Sequence, residues 1–211
     1  MVGIVSEGRS DQGIIINILK GICGIDESEI LPIRPREMYD ETDLSSKGDL
    51  TLGGWSRVKM ECESKEQINA FLALDGNDYV VIQIDTAECD QYGVERPKKD
   101  EKYCPELRSR VKSKIQEWLA TDDQFAIYAI SIEEIEAWLL TTLEKKDSAK
   151  SADPKSKYEK ASRQKAPVSI EDGKSYSKSF RKMKNFSQYN YGEYNCSLKL
   201  FCQELKGKIC G

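Results

Sequence analysis

Strand-like and helix-like segments alternate along the first 144 residues, and this alternation constrains the fold more than any other feature of the sequence. Runs rich in valine, isoleucine and aromatic residues indicate buried strands at residues 2–8 (VGIVSEG), 29–35 (EILPIRP), 78–85 (DYVVIQID) and 124–131 (QFAIYAIS). A segment with apolar residues at helical spacing follows each run. Such alternation predicts an α/β fold with a mostly parallel central sheet and helices on both faces.

The predicted helices follow from apolar spacing and from capping residues. They cover residues 10–24, 56–74, 104–120 and 132–144, with a break at Ser64 in the second. We expect Ser10 or Asp11 to cap the first helix and Gly24 to end it. The turn-rich stretch 41–55 is expected to form a surface loop.

The pattern changes after Glu144. Residues 145–174 have little apolar periodicity, so we expect a partly mobile or long basic segment there, followed by helical order at 175–186 and 197–209. The predicted parts of the chain are a core at residues 1–144 and a lysine-rich extension with C-terminal helices at residues 145–211.

Histidine does not occur in the sequence. Its absence excludes Ser-His-Asp and Cys-His catalysis, nucleases built on paired histidines and the usual zinc hydrolase sites. Any enzymatic chemistry must therefore rest on carboxylates, lysines or a hard metal ion.

Cysteine spacing and hydropathy indicate the compartment. The seven cysteines include no Cys-x-x-Cys pair, so reduced thiols in the core explain them better than a zinc site. No apolar run reaches the roughly 20 residues that span a bilayer, and the N-terminus lacks a signal pattern. We therefore expect a cytoplasmic protein without a membrane segment.

Acidic residues stand at or just beyond the ends of the predicted strands. Glu7 follows the first strand, Asp85 ends the third, and Glu133 and Glu136 follow the fourth. Because the carboxyl ends of parallel strands share one edge of a sheet, these carboxylates are expected to converge there. Such a cluster is unfavourable unless a cation neutralises it, and ligands that are all oxygen favour Mg²⁺ or Mn²⁺.

Each acid has a simpler explanation when it is taken alone. An isolated carboxylate at a strand end is commonly solvated or caps the next helix. Asp11 would cap the first helix, and Glu133 would favour a helix N-terminus. Only the joint pattern points to a metal site.

Three segments resemble a known family. IVSEGRSD, residues 4–11, resembles the first motif of Toprim domains, in which a strand runs into Glu-Gly-x-x-Asp, and VVIQIDTAECD, residues 80–90, resembles their Asp-x-Asp strand. IEEIEAWLL, residues 132–140, is similar to a helix of small bacterial Toprim proteins related to the overcoming-lysogenization-defect nucleases. The resemblance covers the N-terminal two thirds of the chain and implies a Toprim/Rossmann-like fold.

The resemblance also implies residue roles. Glu7 would be a metal ligand or a general acid/base, and Asp85 would be the principal ligand of Mg²⁺. Glu136 and Asp11 would support a second shell or a second ion. Glu136 ranks above Glu133 because it lies inside the matching helix motif.

The chain departs from the family pattern at Ala87, where the second acid of the Asp-x-Asp pair would stand. Glu88 cannot simply replace that acid, because the next residue of a strand points to the other face, although a turn could re-aim it. We therefore expect an inactive form of a catalytic site, in which Ala87 is either engineered or a natural degeneration.

A basic stretch follows the core. Between Lys145 and Lys184 there are 13 Lys or Arg residues against five Asp or Glu residues, a net charge of about +8. Since the whole chain has a net charge of −4, the remainder carries about −12. The interleaved aromatic residues would suit DNA or RNA, because cations neutralise phosphates and aromatic rings stack on bases. The alternative is a solvated linker whose aromatic residues pack on the body.

Specific contacts are predicted in this stretch. The candidate nucleic-acid contacts are Lys174, Lys178, Arg181 and Lys182. In the nucleases that the chain resembles, a lysine beyond the acidic motifs completes the site, so Lys174 and Lys178 are also catalytic candidates.

We expect an Mg²⁺- or Mn²⁺-dependent nuclease that acts on DNA or RNA, and the resemblance implies the toxic effector of a bacterial anti-phage defence system. A Walker loop is absent, but an ATPase partner and a homo-oligomer are both compatible with the sequence. The first alternative is a non-catalytic regulatory or assembly subunit of a defence complex that keeps the Toprim fold. The second is a phosphotransferase or phosphatase of another doubly wound class.

Overall fold

Four strands form one parallel sheet, as the alternation predicts. The structure, a computed structural model, describes residues 1–35, 54–120, 123–185 and 191–210. The strands are β1 (Val2–Val5), β2 (Ile30–Arg34), β3 (Tyr79–Asp85) and β4 (Ala126–Ser131), in the order β2-β1-β3-β4. Neighbouring strands are parallel throughout, with Val5 opposite Ile82 and Asp85 opposite Ser131. The carboxyl ends of the strands therefore lie at one edge of the sheet.

The helices of residues 1–144 and the last helix lie close to their predicted positions. The helices are α1 (Arg9–Ile22), α2 (Gly54–Ser64), α3 (Glu66–Leu72), α4 (Tyr103–Leu119), α5 (Glu136–Leu143), α6 (Pro154–Ser162), α7 (Ile170–Tyr176), α8 (Tyr191–Tyr194) and α9 (Cys196–Lys208). Of these, α6 and α7 lie where none was predicted. Segments of 3₁₀ helix cover Glu27–Glu29 and Lys178–Asn185. The predicted break at Ser64 is confirmed, because Lys65 separates α2 from α3 in a left-handed conformation with φ of 53°.

The start of α1 differs from the prediction. Gly8, rather than Ser10 or Asp11, is the N-cap residue. Asp11 still satisfies the helix end, because its carboxylate accepts a 2.9 Å hydrogen bond from the Gly8 N–H. The carboxylate of Asp11 is therefore tied to the turn that also carries Glu7.

Two hydrophobic layers cover the sheet. On one face α1, α5 and α9 pack against side chains that include Ile4 and Val81. On the other face α2, α3 and α4 pack against side chains that include Val80 and Ile82. Helices on both faces are the arrangement that buried parallel strands require.

The C-terminal extension belongs to the same body, which corrects the expectation of a mobile or long basic segment after Glu144. Residues 154–185 form α6, α7 and a 3₁₀ segment, and Tyr158 and Phe180 are buried in the hydrophobic layer that contains α1. Gly13 allows α1 and α7 to approach closely, since a Cβ at this position would lie 2.2 Å from the Ile170 carbonyl oxygen. A few well-placed apolar anchors thus order a segment whose overall periodicity is weak.

The cysteines differ in one respect from the expectation of reduced core thiols. Five are free, and four of these are buried. Cys23 and Cys210, however, form a disulfide that joins the residues following α1 and α9.

Two other expectations concern a membrane segment and the loop at residues 41–55. No helix in the described ranges is long and apolar enough to cross a membrane. The loop expected at residues 41–55 lies almost entirely outside the residues that the structure describes.

Candidate functional site

Glu7 and Asp85 lie side by side at the carboxyl edge of the sheet. Glu7 Oε1 accepts a 2.7 Å hydrogen bond from the Asp85 N–H, and the Glu7 N–H donates to Gln83 Oε1 at 3.0 Å. Gln83 Nε2 also donates to Asp85 Oδ1 at 2.9 Å. Because Gln83 is fully buried, it holds both acids in a fixed relation.

The neighbouring strand fixes Asp85 from its other side. Ser131, the last residue of β4, donates a hydrogen bond to Asp85 Oδ1. Tyr92 donates a 2.9 Å hydrogen bond to the Asp85 carbonyl oxygen. Oδ1 is therefore engaged twice, whereas no hydrogen bond from the described residues reaches Oδ2.

Asp11 and Glu136 bring two more carboxylates to this edge. Asp11 lies in the first turn of α1 and Glu136 is the first residue of α5, and each is 7% exposed. Burial is the largest cause of the raised pKa of Asp85, and the charges of the other three acids raise it further. The structure thus brings together the four acids that the sequence analysis selected as metal ligands.

Burial raises the pKa values of the other acids as well. The pKa of Glu7 rises to about 8 through burial first and then through the charges of Asp11 and Glu88. Mainly through burial, the pKa of Glu136 rises to about 7 and that of Asp11 to about 6. Without a cation, the cluster therefore holds protons near neutral pH.

The chemistry of this cluster suits a hard divalent cation. The four acids offer only carboxylate oxygens, and a cation would offset the repulsion that raises their pKa values. Within the described parts of the chain, however, no three acidic or cysteine side chains are placed to hold one ion. Mg²⁺ usually keeps several waters and uses only one or two protein carboxylates, so the pair of Glu7 and Asp85 fits its needs.

Ala87 lies in a turn rather than on a strand. β3 ends at Asp85, and residues 87–93 form turns in which Ala87 is exposed. This turn brings Glu88 close enough for its charge to add to the burial that raises the pKa of Glu7. The alternation of side chains that would turn Glu88 away from the cluster ends with the strand, which is consistent with the effect of its charge on Glu7.

Arg96 holds the same turn against the loop that follows β4. Its guanidinium donates to the carbonyl oxygens of Thr86 and Ala87 at 2.9 and 2.7 Å, and to Glu133 Oε1 at 2.9 Å. Glu133 adopts a left-handed φ of 63°, and its carboxylate is engaged in this ion pair. Glu136 is therefore better placed than Glu133 to act in the acidic cluster.

The charge of Lys155 acts on two acids of the cluster, although its sequence context did not mark it as a site residue. It follows Pro154 in the first turn of α6. Its positive charge partly offsets the rise in pKa that burial causes at Asp11 and Glu136. An anionic substrate at this edge would therefore meet one cation close to the carboxylates.

Lys174 has different partners from those that the sequence analysis expected. Its Nζ pairs with Glu27 at 2.8 Å and with Glu171 at 2.7 Å. These contacts link α7 to the 3₁₀ segment before β2. The structure thus does not bring this ammonium group to the carboxylates.

The other predicted basic contacts lie on the 3₁₀ segment after α7. Arg181 Nε donates to Asn17 Oδ1 at 2.7 Å and so ties this segment to α1. Lys178 and Lys182 are exposed. Their contact with nucleic acid stays a prediction.

The expectation that aromatic residues of the extension stack on bases is wrong for two of them. Tyr158 is 3% exposed and Phe180 is fully buried. Both rings are used in the core, as the alternative interpretation of this stretch proposed. Phe186 and Tyr189 lie outside the described residues.

A basic cavity of about 550 Å³ is lined by residues of α5, of α6 and of the loop between them. Its lysines are Lys146, Lys150, Lys157 and Lys160. Against these four lysines the wall has two acids, Glu144 and Asp147, which leaves a net charge of about +2. Lys146 pairs with Glu144 at 2.8 Å, whereas Lys150 and Lys160 form no ion pair within the described ranges.

Several residues that position the acids were not selected from the sequence. Gln83 is the one amide inside a run of Val and Ile, and this isolated polarity is a readable signal for a structural role. Ser131 at the end of an apolar strand is a weaker signal of the same kind. Arg96 and Lys155 carry no such signal, because nothing in their local sequence distinguishes them from the other basic residues.

The chain matches no family model, no curated protein and no solved structure. The interpretation of the site therefore depends on its own residues.

Proposed function

We propose that the chain is a Toprim-type nuclease that uses Mg²⁺ or Mn²⁺ to hydrolyse phosphodiester bonds of DNA or RNA, and that Ala87 weakens its site. The observation that carries this proposal is the grouping of four acids at one edge of a parallel sheet, namely Glu7, Asp11, Asp85 and Glu136. Such a grouping is unfavourable without a cation, and α/β proteins bind ligands at this edge.

The acids divide into direct and supporting roles. Asp85 would be the principal ligand through Oδ2, the oxygen that no described residue hydrogen-bonds. Glu7 would be a second ligand or a general acid/base, because a pKa near 8 lets it hold and release a proton near neutral pH. Asp11 and Glu136 would bind water in the outer shell or support a second ion. A bound Mg²⁺ would polarise a phosphate oxygen and activate a water molecule.

Lys155 and the basic cavity support the nucleic-acid part of the proposal. Leu140, which lines the cavity, is one turn from Glu136 in α5, so the cavity begins about 6 Å along this helix from the acids. Phosphates next to the bond that is cut would then meet Lys150 and Lys160. Further candidate contacts on the extension are Lys174, Lys178, Arg181 and Lys182.

The resemblance to Toprim nucleases supports a biological setting. We infer a toxic effector of a bacterial anti-phage defence system that acts in the cytoplasm. An ATPase partner or self-association would provide control over its toxicity, since the chain itself has no Walker loop.

A second candidate function is a non-catalytic regulatory or assembly subunit of a defence complex. Two observations favour it: the position of the second acid holds Ala87, and the described residues contain no group of three side chains placed for an ion. A Toprim fold that has lost a ligand could still act through protein contacts.

Metal-dependent cleavage distinguishes the two functions. Supercoiled plasmid DNA and folded RNA are incubated with the wild-type chain, with Ala87→Asp and with Ala87→Asp/Asp85→Asn, in Mg²⁺, in Mn²⁺ and in EDTA. We expect Ala87→Asp to raise the cleavage rate by at least about tenfold and Asp85→Asn to abolish it.

Ala70→Asp is the matched control, because Ala70 is an exposed residue of α3, on the face of the sheet opposite α1 and α5. It should leave the rate unchanged. Absence of metal-dependent cleavage in every variant would favour the regulatory function, and equally strong cleavage with Ala87 in place would show that Ala87 does not weaken the site.

A further inference from the structure

Two free cysteines lie close together where two helices begin. Cys104 is the second residue of α4 and Cys196 is the first residue of α9. Each thiol is the first cause of the pKa shift of the other, as expected for neighbouring sulfurs, and the ion pair of Arg108 with Glu204 at 2.7 Å joins the same two helices. Cys104 is 2% exposed, whereas Cys196 is only partly buried and packs against the hydrophobic layer that contains Cys104. A small reagent should therefore reach Cys196 more readily than Cys104.

Arg108, one turn after Cys104, places a positive charge beside this pair. The side chain is 9% exposed, and its Nη2 donates to the Tyr128 carbonyl oxygen and to Glu204 at 2.9 and 2.7 Å. Its Nε is buried and has no hydrogen-bond partner among the described residues. A buried donor without a partner next to two thiols is suited to stabilise a thiolate.

The surroundings place that thiolate on the accessible sulfur. The neighbouring Cys104 thiol first, and then the charges of Arg108 and Lys199, lower the pKa of Cys196 to about 7, against the opposing effects of burial and Asp147. The N-terminal position in a helix of 13 residues acts in the same direction. The neighbouring Cys196 and then burial raise the pKa of Cys104, which stays a thiol.

We propose that Cys104 and Cys196 form a redox-active pair, in which Cys196 reacts with a hydroperoxide and Cys104 converts the product into a disulfide between α4 and α9. The pair is distinct from the acidic cluster and does not depend on the nuclease proposal.

The reaction has two balanced steps. The Cys196 thiolate attacks one peroxide oxygen, so that an S–O bond forms, the O–O bond breaks, and the leaving hydroxide takes a proton to become water. Cys104 then loses its proton and attacks the Cys196 sulfur; an S–S bond forms and the S–O bond breaks, releasing a second water. Two thiols lose two electrons in total, and one hydrogen peroxide is reduced to two waters.

The remaining thiols lack this combination of features. Cys62, Cys89 and Cys202 are fully buried, and burial raises the pKa of each. Cys23 and Cys210 are already joined to each other. Oxidation should therefore be selective for Cys196 and Cys104.

Peptide mapping by mass spectrometry tests the proposal. The folded full-length chain is treated with hydrogen peroxide, quenched with an alkylating reagent and digested without reduction. We expect a cross-linked peptide that joins Cys104 to Cys196 before Cys62, Cys89 or Cys202 is modified. With Cys104→Ala, a sulfenic-acid probe such as dimedone should label Cys196, and in the wild-type chain the alkylation rate of Cys196 should rise with a midpoint near pH 7.

Cys202→Ala is the matched control, because it removes a thiol from the same helix and should leave the cross-link intact. The wild-type map decides the question even if a variant folds poorly. Modification of a buried thiol before Cys196, or complete oxidation of Cys196 without the cross-link to Cys104, would overturn the proposal.

Discussion

The N–H of Asp85 donates a 2.7 Å hydrogen bond to Glu7 Oε1, and this bond joins the ends of two neighbouring parallel strands. It fixes one oxygen of Glu7 while the other oxygen accepts no hydrogen bond within the described residues. Glu7 and Asp85 are therefore held by the backbone, by Gln83 and by Ser131, and neither forms an ion pair within the described residues. This arrangement leaves negative charge that a metal ion or protons must balance.

The acidic cluster should make stability depend on pH in the absence of divalent ions. The pKa of Glu7 is about 8 in the folded chain, against 4.5 for an ordinary glutamate, and that of Glu136 is about 7. Below about pH 4.5 both states hold these protons. As the pH rises, the unfolded state releases protons that the folded state retains, so the free energy of unfolding falls until the pH has passed the folded pKa values.

Thermal unfolding in EDTA between pH 5 and pH 8.5 measures this effect. We expect Glu7→Gln to raise the melting temperature at pH 8.5 by about 3 to 6 °C relative to the wild-type chain, and to have little effect at pH 5. Glu106→Gln, at an exposed position of α4, is the matched control and should change neither value. An equal pH dependence in wild type and Glu7→Gln would contradict a buried, repulsive cluster.

Arg96 should be needed to hold the turn that carries Ala87. Removing its guanidinium leaves the Ala87 carbonyl oxygen without its donor and the Glu133 carboxylate without its ion pair, so Arg96→Ala should lower the free energy of unfolding by about 1 to 3 kcal/mol. Hydrogen exchange at residues 86–88 should accelerate. Arg110→Ala, which removes one exposed contact to the Glu95 carbonyl oxygen, is the control and should have a smaller effect. Equal effects of the two changes would show that Arg96 does not organise this turn.

The basic cavity should contribute to nucleic-acid binding without taking part in cleavage. Lys150→Gln/Lys160→Gln removes two charges from the cavity and should reduce the slope of log affinity against log salt by about 1 to 2. Fluorescence anisotropy with a labelled oligonucleotide in EDTA measures this slope. Lys59→Gln/Lys114→Gln removes two charges from α2 and α4, on the other face of the sheet, and should leave the slope unchanged. Identical slopes in both double variants would argue against the cavity as a phosphate site.

We expect substitution of Lys155 to affect the cleavage rate and substitution of Lys174 to affect only stability. In the Ala87→Asp background, Lys155→Gln should lower the cleavage rate by about tenfold, because it removes a positive charge that acts on Asp11 and Glu136. Lys174→Gln should leave the rate nearly unchanged, and the loss of its pairs with Glu27 and Glu171 should cost about 1 kcal/mol of stability at most. The opposite result would support the sequence-based assignment of Lys174.

The fold and the acidic cluster could be predicted because both follow from local patterns. Buried parallel strands appear as continuous Val and Ile runs, and their carboxyl ends must share an edge, so Glu7 and Asp85 could be placed together from spacing alone. Glu136 required the additional resemblance to a family helix. Each of these predictions depends on the residue pattern within a single strand or helix.

The extension and the supporting residues could not be predicted, because their roles depend on tertiary contacts. Phe180 can enter the core because Gly21 of α1 leaves room for the Phe180 backbone. The periodicity of the sequence does not reveal a single buried residue of this kind. Lys155 reaches the acids only because α6 packs on α5. The sequence favoured Lys174 as a catalytic lysine, but Lys174 pairs with Glu27 and Glu171 instead of approaching the acidic cluster.

Binding of Mn²⁺ at pH 8 tests the central claim most directly. Isothermal titration calorimetry with the wild-type chain should show saturable binding, which Asp85→Asn should weaken by at least about tenfold and Ala87→Asp should strengthen. Circular dichroism should show that both variants keep the α/β fold. The absence of binding by wild type and Ala87→Asp, or unchanged binding by Asp85→Asn, would contradict the assignment of this carboxylate cluster as a divalent-metal site.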